Sequence, residues 1–390
     1  MSFGIRRFLL LLFSYIKFLY YSLINPLLKN SPVKTGAKKE LLIIKLDEIG
    51  DYILFRNFLK YFKASAEFKD YKITLLGNLT WKSLFIFLDK DYVDFSIWVE
   101  KRNFLRNLYY RKRILKTTAK YYYDTVINCT LSRNYFIDDA FVNAVYAGNK
   151  YGSSTDLSSQ FEWQKKLSDN YYSLLININE DYTFDFHRNR RLVSTILKTD
   201  LNESLPVIQI SNIANKRIPN AKYAVFYVGG RKNYKVWGTS NFLSAARHLK
   251  EKYNLKIVLI GSSEDKKLSA EFENNFDKGD VINYTAKTSL VEVIEILNGA
   301  EIMISNDSGL PHIAAALNTK LIVLVNGTHF GRFFPYPAEA KNVKAIYPPE
   351  IQNNLQDFEK LRKNYKYRSI LDINSISIEK VIIEADNLLQ

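Results

Sequence analysis

Short apolar runs recur along this chain, separated by stretches with helical spacing. Glu40 to Lys45 (ELLIIK) is the first, and the strand Leu41 to Ile44 leads into the turn Leu46-Asp47-Glu48-Ile49-Gly50-Asp51. A helical pattern then continues through Lys63, and Tyr71 to Leu76 and Asp124 to Cys129 read as later buried strands. Weak periodicity from Asn134 to Thr183 leaves the middle of this half without assigned elements. Strands alternating with helices imply a parallel sheet covered on both faces.

A second alternating series begins near Tyr223. It predicts strands at Ala224 to Val228, Lys256 to Ile260, Val281 to Tyr284, Glu301 to Ile304 and Leu321 to Val325. Between them lie helical patterns at Asn241 to Tyr253, Ser263 to Phe272, Ser289 to Leu297 and Leu310 to Leu317, and Ser375 to Leu389 is a terminal helix free to pack on either half. The fold class is therefore α/β, with two Rossmann-like doubly wound domains. The expected division is 1–39 for an apolar helix and linker, 40–211 for a first domain, 212–370 for a second, and 371–390 for the last helix. Two such domains facing each other leave a cleft at the carboxyl ends of their strands, where open α/β sheets bind ligands.

The first 39 residues do not fit either series. From Phe8 to Leu28, 16 of 21 residues are apolar or aromatic, with Arg6 and Arg7 before them and Lys29 and Lys34 after. A helix of that length is about as long as a bilayer core is thick. Lys17 near its centre, and Ser14, Ser22, Asn25 and Pro26, suit a helix lying on the membrane better than one crossing it. A helix packed on the protein is the remaining reading, and no small-residue cleavage site precedes Pro32.

Composition narrows the partners. The 55 Lys and Arg exceed 40 Asp and Glu, a net charge of +15, which favours an anionic partner such as a nucleotide phosphate, an acidic lipid surface or a nucleic acid. Lys101 to Lys120 carries eight of these cations among Phe104, Leu105, Tyr109 and Tyr110. That segment is either a solvated helix face or a docking surface for anionic lipid or a glycolipid acceptor. It contains no recognisable nucleic-acid-binding module, so no nucleic-acid partner is expected. Cys129 is the only cysteine, and the four histidines are scattered. No metal site and no cofactor are expected.

Chemistry gathers at the strand ends of the second series. Val228-Gly229-Gly230-Arg231 follows its first strand, then Lys235-Val236-Trp237; Gly261-Ser262-Ser263-Glu264-Asp265 follows the second strand, and Lys287-Thr288-Ser289 precedes a helix. Ser305-Asn306-Asp307-Ser308-Gly309-Leu310-Pro311-His312 joins a strand to a helix. Glycines admit a close ligand approach, and unpaired N–H groups at a helix start suit an anion. Each motif alone has an ordinary explanation as a turn, a cap or a solvated charge; their order is the stronger signal.

In that order the segments resemble glycosyltransferase family 9, the lipopolysaccharide heptosyltransferases of GT-B fold. The resemblance covers Leu41 to Lys63 and Tyr223 to Pro337, and rests on Asp307-Ser308-Gly309-x-x-His312, Lys235-x-Trp237 and Lys287-Thr288-Ser289-Leu290. It implies a nucleoside-diphosphate-sugar donor in the second domain. Asp307, Ser308, Gly309 and His312 would line sugar and diphosphate, beside the Gly229-Gly230 turn. Lys235 would meet phosphate, Thr288 the nucleoside, and Glu264 or Asp265 the ribose. It implies Asp51 as general base, ionised at neutral pH by its place at a helix start, with Asp47 in reserve. A protonated His312 would help stabilise the departing diphosphate without a metal.

Two departures bear on substrate. Asp47-Glu48 replaces small hydroxyl residues and would repel a phosphorylated acceptor, and Asn326-Gly327-Thr328 replaces Gly-Pro-Thr. The expected activity is thus inverting, metal-independent transfer of heptose or another hexose-like sugar to a lipopolysaccharide or other lipid-linked saccharide. With the N-terminal helix, this implies a cytoplasmic enzyme held peripherally on an anionic membrane surface. A nucleotide-sugar epimerase or hydrolase on the same fold, and a non-catalytic basic membrane- or nucleic-acid-binding protein, are the alternatives.

Overall fold

The computed structural model describes residues 3–24, 32–33, 38–178, 184–210, 221–230 and 233–390. Most of the expected linker before Lys38, most of the expected hinge 212–222, and Arg231 lie outside the described residues.

Two six-stranded sheets form the framework. The first contains β1 (Glu40–Lys45), β2 (Lys72–Asn78), β3 (Phe95–Val99), β4 (Tyr122–Asn128), β5 (Tyr146–Ser153) and β6 (Leu174–Ile176), in the order β3-β2-β1-β4-β5-β6. The second contains β7 (Tyr223–Tyr227), β8 (Lys256–Leu259), β9 (Val281–Asn283), β10 (Ile302–Asn306), β11 (Leu321–Leu324) and β12 (Val343–Ile346), in the order β12-β11-β10-β7-β8-β9. Every pairing is parallel. The central strands β1, β7, β10 and β11 are buried along their whole length, as expected of parallel strands covered on both faces.

The helical stretch expected after β1 is broken. A short helix Ile49–Ile53 gives way to a tight turn at Arg56–Phe58 before the helix Leu59–Ala64 resumes. Arg56 accounts for part of this, because its guanidinium turns inward to make a two-pronged ion pair with buried Asp89, 2.8 and 2.9 Å away. The terminal helix Ile378–Leu389 packs on the second domain, where Asp386 meets His248, Lys252 and Tyr253 at 2.8 Å each.

One hydrophobic core runs through both halves, from Leu41 and Ile43 of β1 to Val225 of β7 and Val323 of β11. The chain also crosses between them near Val207, whose carbonyl accepts from Arg56 and Asn57, while the Ile208 N–H donates to Ala316 O at 2.8 Å. The strand ends that carry the sequence motifs are therefore held at a packed junction.

Candidate functional site

The turn after β1 is fixed from three sides. Asn78 Nδ2 and Trp81 Nε1 donate to the Asp47 carbonyl at 2.9 and 3.2 Å, and Leu46 N–H donates to Thr130 Oγ1 at 3.2 Å. Fully buried Lys45 donates to Cys129 O at 3.0 Å and to Asp47 Oδ2 at 3.2 Å. Asp51, one residue past Gly50, accepts from the Glu48 N–H at 3.2 Å. It is thus a capping acid, but the cap occupies only one of its oxygens.

Helix-start placement alone would keep Asp51 ionised, and the structure corrects that expectation. Burial, with the negative charges of Asp47 and Asp185, outweighs Lys45 and Arg332 and pushes its carboxyl up to about 7. A carboxyl poised there can both hold and release a proton near neutral pH. The carboxylates of Asp47 and Glu48 also differ from expectation. Asp47 is paired with Lys45, and Glu48 lies 2.6 Å from Lys101, so the anticipated repulsion of a phosphorylated acceptor is largely offset.

On the opposite side, Asn306 at the end of β10 organises the second domain's turns. Its Nδ2 donates to the carbonyls of Val228 (3.1 Å) and Gly229 (2.9 Å), and its Oδ1 accepts from the Trp237 N–H at 3.0 Å. Three of the sequence motifs are tied together through this one buried amide. Lys235 comes within 2.6 Å of Asp307 Oδ2. The lysine cancels the charge that a lone carboxylate would present at this turn.

At Gly229 the missing side chain makes room for a neighbouring carboxylate. A Cβ there would lie 1.9 Å from Asp265 Oδ1, so the carboxylate already fills the gap. The other oxygen of Asp265 accepts from Ser262 N–H and Oγ, both at 2.7 Å, and Glu264 beside it is exposed. At the next motif Ser289 takes the helix cap, accepting from Glu292 N–H at 3.3 Å. Thr288 is free of that duty, and its buried Oγ1 has no hydrogen-bond partner among the described residues. Asn326 Nδ2, in the altered loop after β11, is likewise buried without a partner among them.

The Gly309 turn and the helix Leu310–Ala316 meet the first domain directly. A Cβ on Gly309 would stand 2.9 Å from Ile49 Cβ and 3.1 Å from the Gly50 nitrogen; one on Gly50 would stand 2.7 Å from His312 Cδ2. Ser308 Oγ accepts from Leu310 N–H at 3.3 Å. His312 is enclosed, stacked on Phe334 at 4.9 Å between centroids and bonded through Nδ1 to Tyr336 Oη at 2.8 Å. Burial holds its pKa down to about 4, so it is neutral near pH 7 and does not act as the cation anticipated from sequence.

An ion pair that the local sequence does not mark joins the halves. Arg332 grips Asp185 with two nitrogens, at 2.7 and 3.3 Å, and the Arg332 carbonyl accepts from the Asp185 N–H at 2.8 Å. Arg188, one turn along the same helix, adds a 2.5 Å contact to Asp185. The Phe333-Phe334 pair after Arg332 was a legible sign of a buried segment, but nothing local pointed to Asp185. Among the described residues, no three of His, Cys, Asp and Glu gather as a metal site.

A family model for glycosyltransferase family 9 (heptosyltransferase) matches residues 112–363, well over half of the chain. The chain belongs to that family. The match includes every donor-side motif and starts beyond the Asp51 turn. Over 130 residues the chain is 29% identical to lipooligosaccharide heptosyltransferase 2 of Haemophilus influenzae, covering 32% of this chain and 36% of that relative. The matched segment thus spans about a third of the curated relative's length. The crystal structure of a family 9 glycosyl transferase from Veillonella parvula is similar with a TM-score of 0.68 at 18% identity, covering 92% of this chain and 99% of the other. An E. coli heptosyltransferase with ADP is similar with a TM-score of 0.63 at 19% identity, covering 82% and 99%. The two sheets of this family 9 chain accordingly adopt the GT-B arrangement.

Proposed function

We propose that this chain transfers a sugar from a nucleoside-diphosphate donor, bound by the second domain, to an acceptor hydroxyl held at the Asp51 turn of the first. The observation that carries this is the direct seating of the Gly50-Asp51 turn against the Gly309–His312 turn. Asp51 is the residue next to Gly50, and its interaction with the charge of Arg332 from the second domain supports a base facing the donor side. The ADP in the similar E. coli structure supports an adenosine diphosphate leaving group, and family membership supports heptose or a related hexose-like sugar.

In this reading Asp51 takes the proton of the acceptor hydroxyl as its oxygen bonds to the anomeric carbon from the face opposite the leaving group. The bond from that carbon to the phosphate oxygen breaks, the nucleoside diphosphate leaves with the electron pair, and the configuration inverts. Lys235, Ser308 and the N–H groups at Gly309 receive the developing charge without a metal. The helix Leu310–Ala316 has only 7 residues, so Lys235 would carry most of this role once phosphate draws it from Asp307. Asp307 would accept sugar hydroxyls, Thr288 would face the nucleoside, and Asp265, with Glu264 beside it, would lie at the ribose near Gly229-Gly230. Neutral His312 positions the turn through Tyr336. The acceptor is a lipid-linked saccharide, such as lipopolysaccharide, at the cytoplasmic face of the membrane.

Product analysis with a panel of nucleoside-diphosphate sugars, with and without saccharide acceptors, tests the reading. Donor consumption that requires acceptor and yields an inverted glycoside supports it. Donor turnover without acceptor would favour an epimerase or hydrolase, and failure of every nucleotide to raise the melting temperature would refute donor binding.

A further inference from the structure

The N-terminal helix Phe3–Ile24 is built the wrong way round for a helix facing water. Its inner face is fixed to the first domain: Tyr21 Oη donates to Leu105 O at 2.9 Å, Phe18 meets Trp163 edge-on at 5.3 Å, and the Arg111 guanidinium covers the Tyr21 ring at 3.9 Å. The only charge between Leu9 and Ser22 is Lys17, and it turns inward over the Phe136 ring at 4.7 Å. Facing outward are Leu9, Leu12, Phe13, Ile16, Leu19 and Tyr20, one broad helical stripe with exposed Leu10 at its edge. Phe13, Ile16 and Leu19 are 66, 56 and 61% exposed.

A second copy of the chain or a lipid surface could cover such a stripe, and charge decides between them. The adjoining helices Lys101–Arg106 and Leu108–Thr118 expose Arg102, Arg106, Lys112 and Arg113, with Lys120 just beyond. No Asp or Glu occurs from Lys101 to Lys120. Pairing two copies through this region would bring like charges together, whereas anionic headgroups would neutralise them while acyl chains cover the stripe. No helix among the described residues is long and apolar enough to cross a membrane.

We propose that the outward stripe of the N-terminal helix and the basic helices beside it form one docking surface that seats the protein in the plane of an anionic lipid bilayer. Lys101 begins the basic stretch and pairs with Glu48 at the start of the Asp51 helix, so the surface reaches the turn that faces the acceptor. This deepens the lipid-linked-acceptor reading and rests on it for its purpose, but lipid binding itself is tested separately.

The experiment is co-sedimentation of the full chain with vesicles of equal parts phosphatidylglycerol and phosphatidylcholine, or of phosphatidylcholine alone. Binding should require phosphatidylglycerol and weaken in high salt. It should fall by about tenfold in the double variant Phe13→Asp, Ile16→Asp, which loses the apolar contact. Arg102→Glu with Arg106→Glu, a change confined to the surface because both side chains are exposed, should lower it as well. Transfer to a water-soluble acceptor fragment should be unchanged in both variants. Equal vesicle binding by the wild type and both variants would overturn the proposal. So would absence of binding by the wild type; a dimer, seen by sedimentation velocity, that the Phe13 and Ile16 changes dissolve would then assign the stripe to a second copy. Loss of all transfer with vesicle binding intact would instead refute the transferase reading and leave the docking surface standing.

Discussion

Gly50 and His312 touch across the two halves of the molecule, with no room for a methyl group between them. A Cβ on Gly50 would stand 2.7 Å from His312 Cδ2, and the ring cannot swing away because it is stacked on Phe334 and bonded to Tyr336. Gly50→Ala should therefore part the junction at a cost of about 1–3 kcal/mol. A lower melting temperature and slower transfer are the expected readouts. His312→Ala added to Gly50→Ala should recover part of the loss, because contacting residues are not additive. An unchanged melting temperature in Gly50→Ala would show that the contact is not tight.

Lys235 and Asp307 act as a pair, so their substitutions should not be independent. Lys235→Ala removes a charged partner for phosphate and should weaken donor binding by roughly 10- to 100-fold, the worth of one charge-assisted hydrogen bond. Asp307→Ala should also weaken it, by loss of the sugar contact. The double variant should lose less than the sum, since the 2.6 Å pair is already gone in either single variant. Calorimetric titration with the nucleoside-diphosphate sugar measures all three, and full affinity in Lys235→Ala would remove that residue from the donor site.

Asp185 ties acid stability to the junction. Arg332 and Arg188 overcome its burial and hold its carboxyl down to about 2. A carboxyl depressed in the folded state stabilises the protein above its unfolded pKa near 4, and that contribution is lost as the pH falls from about 4 toward 2. Asp185→Asn should cost about 3–5 kcal/mol at neutral pH, because it leaves a buried guanidinium without its counter-charge. It should also flatten the loss of stability below pH 4. Denaturant unfolding across pH checks both, and an unchanged acid limb would contradict the assignment.

Asp51 carries the opposite sign. Its folded pKa is raised, so the stabilisation from its protonated form is present below the unfolded pKa and lost as pH rises through about 7. As a base it must be deprotonated, so kcat/KM should fall tenfold per pH unit below about 7. Buried Asp138 is also pushed up to about 7, chiefly by burial and Asp139. If Asp138 set the limb instead, Asp138→Asn would abolish it.

Much of the second domain was readable because its strands are continuous apolar runs. Ala224 to Val228 was expected, and the strand is Tyr223–Tyr227. By contrast β5, Tyr-Ala-Gly-Asn-Lys-Tyr-Gly-Ser, carries two glycines and several exposed residues, so neither alternation nor an apolar run marks it. The donor-side motifs were legible because a loop that meets a ligand concentrates glycine, hydroxyl and charge in a few consecutive positions. The pairs that set their electrostatics were not. Arg332 and Asp185 are 147 positions apart, and the enclosure that neutralises His312 depends on Tyr336 and Phe334 arriving from another loop. Sequence showed which groups were present; packing decided their charge.

If Asp51 is the base facing a donor held by the other domain, Asp51→Asn should separate donor binding from transfer. Donor affinity by calorimetric titration should stay within about twofold of the wild type, while single-turnover transfer falls by about 100- to 10,000-fold, the usual contribution of a positioned general base. Transfer near the wild-type rate with donor still bound would show that Asp51 is not the base.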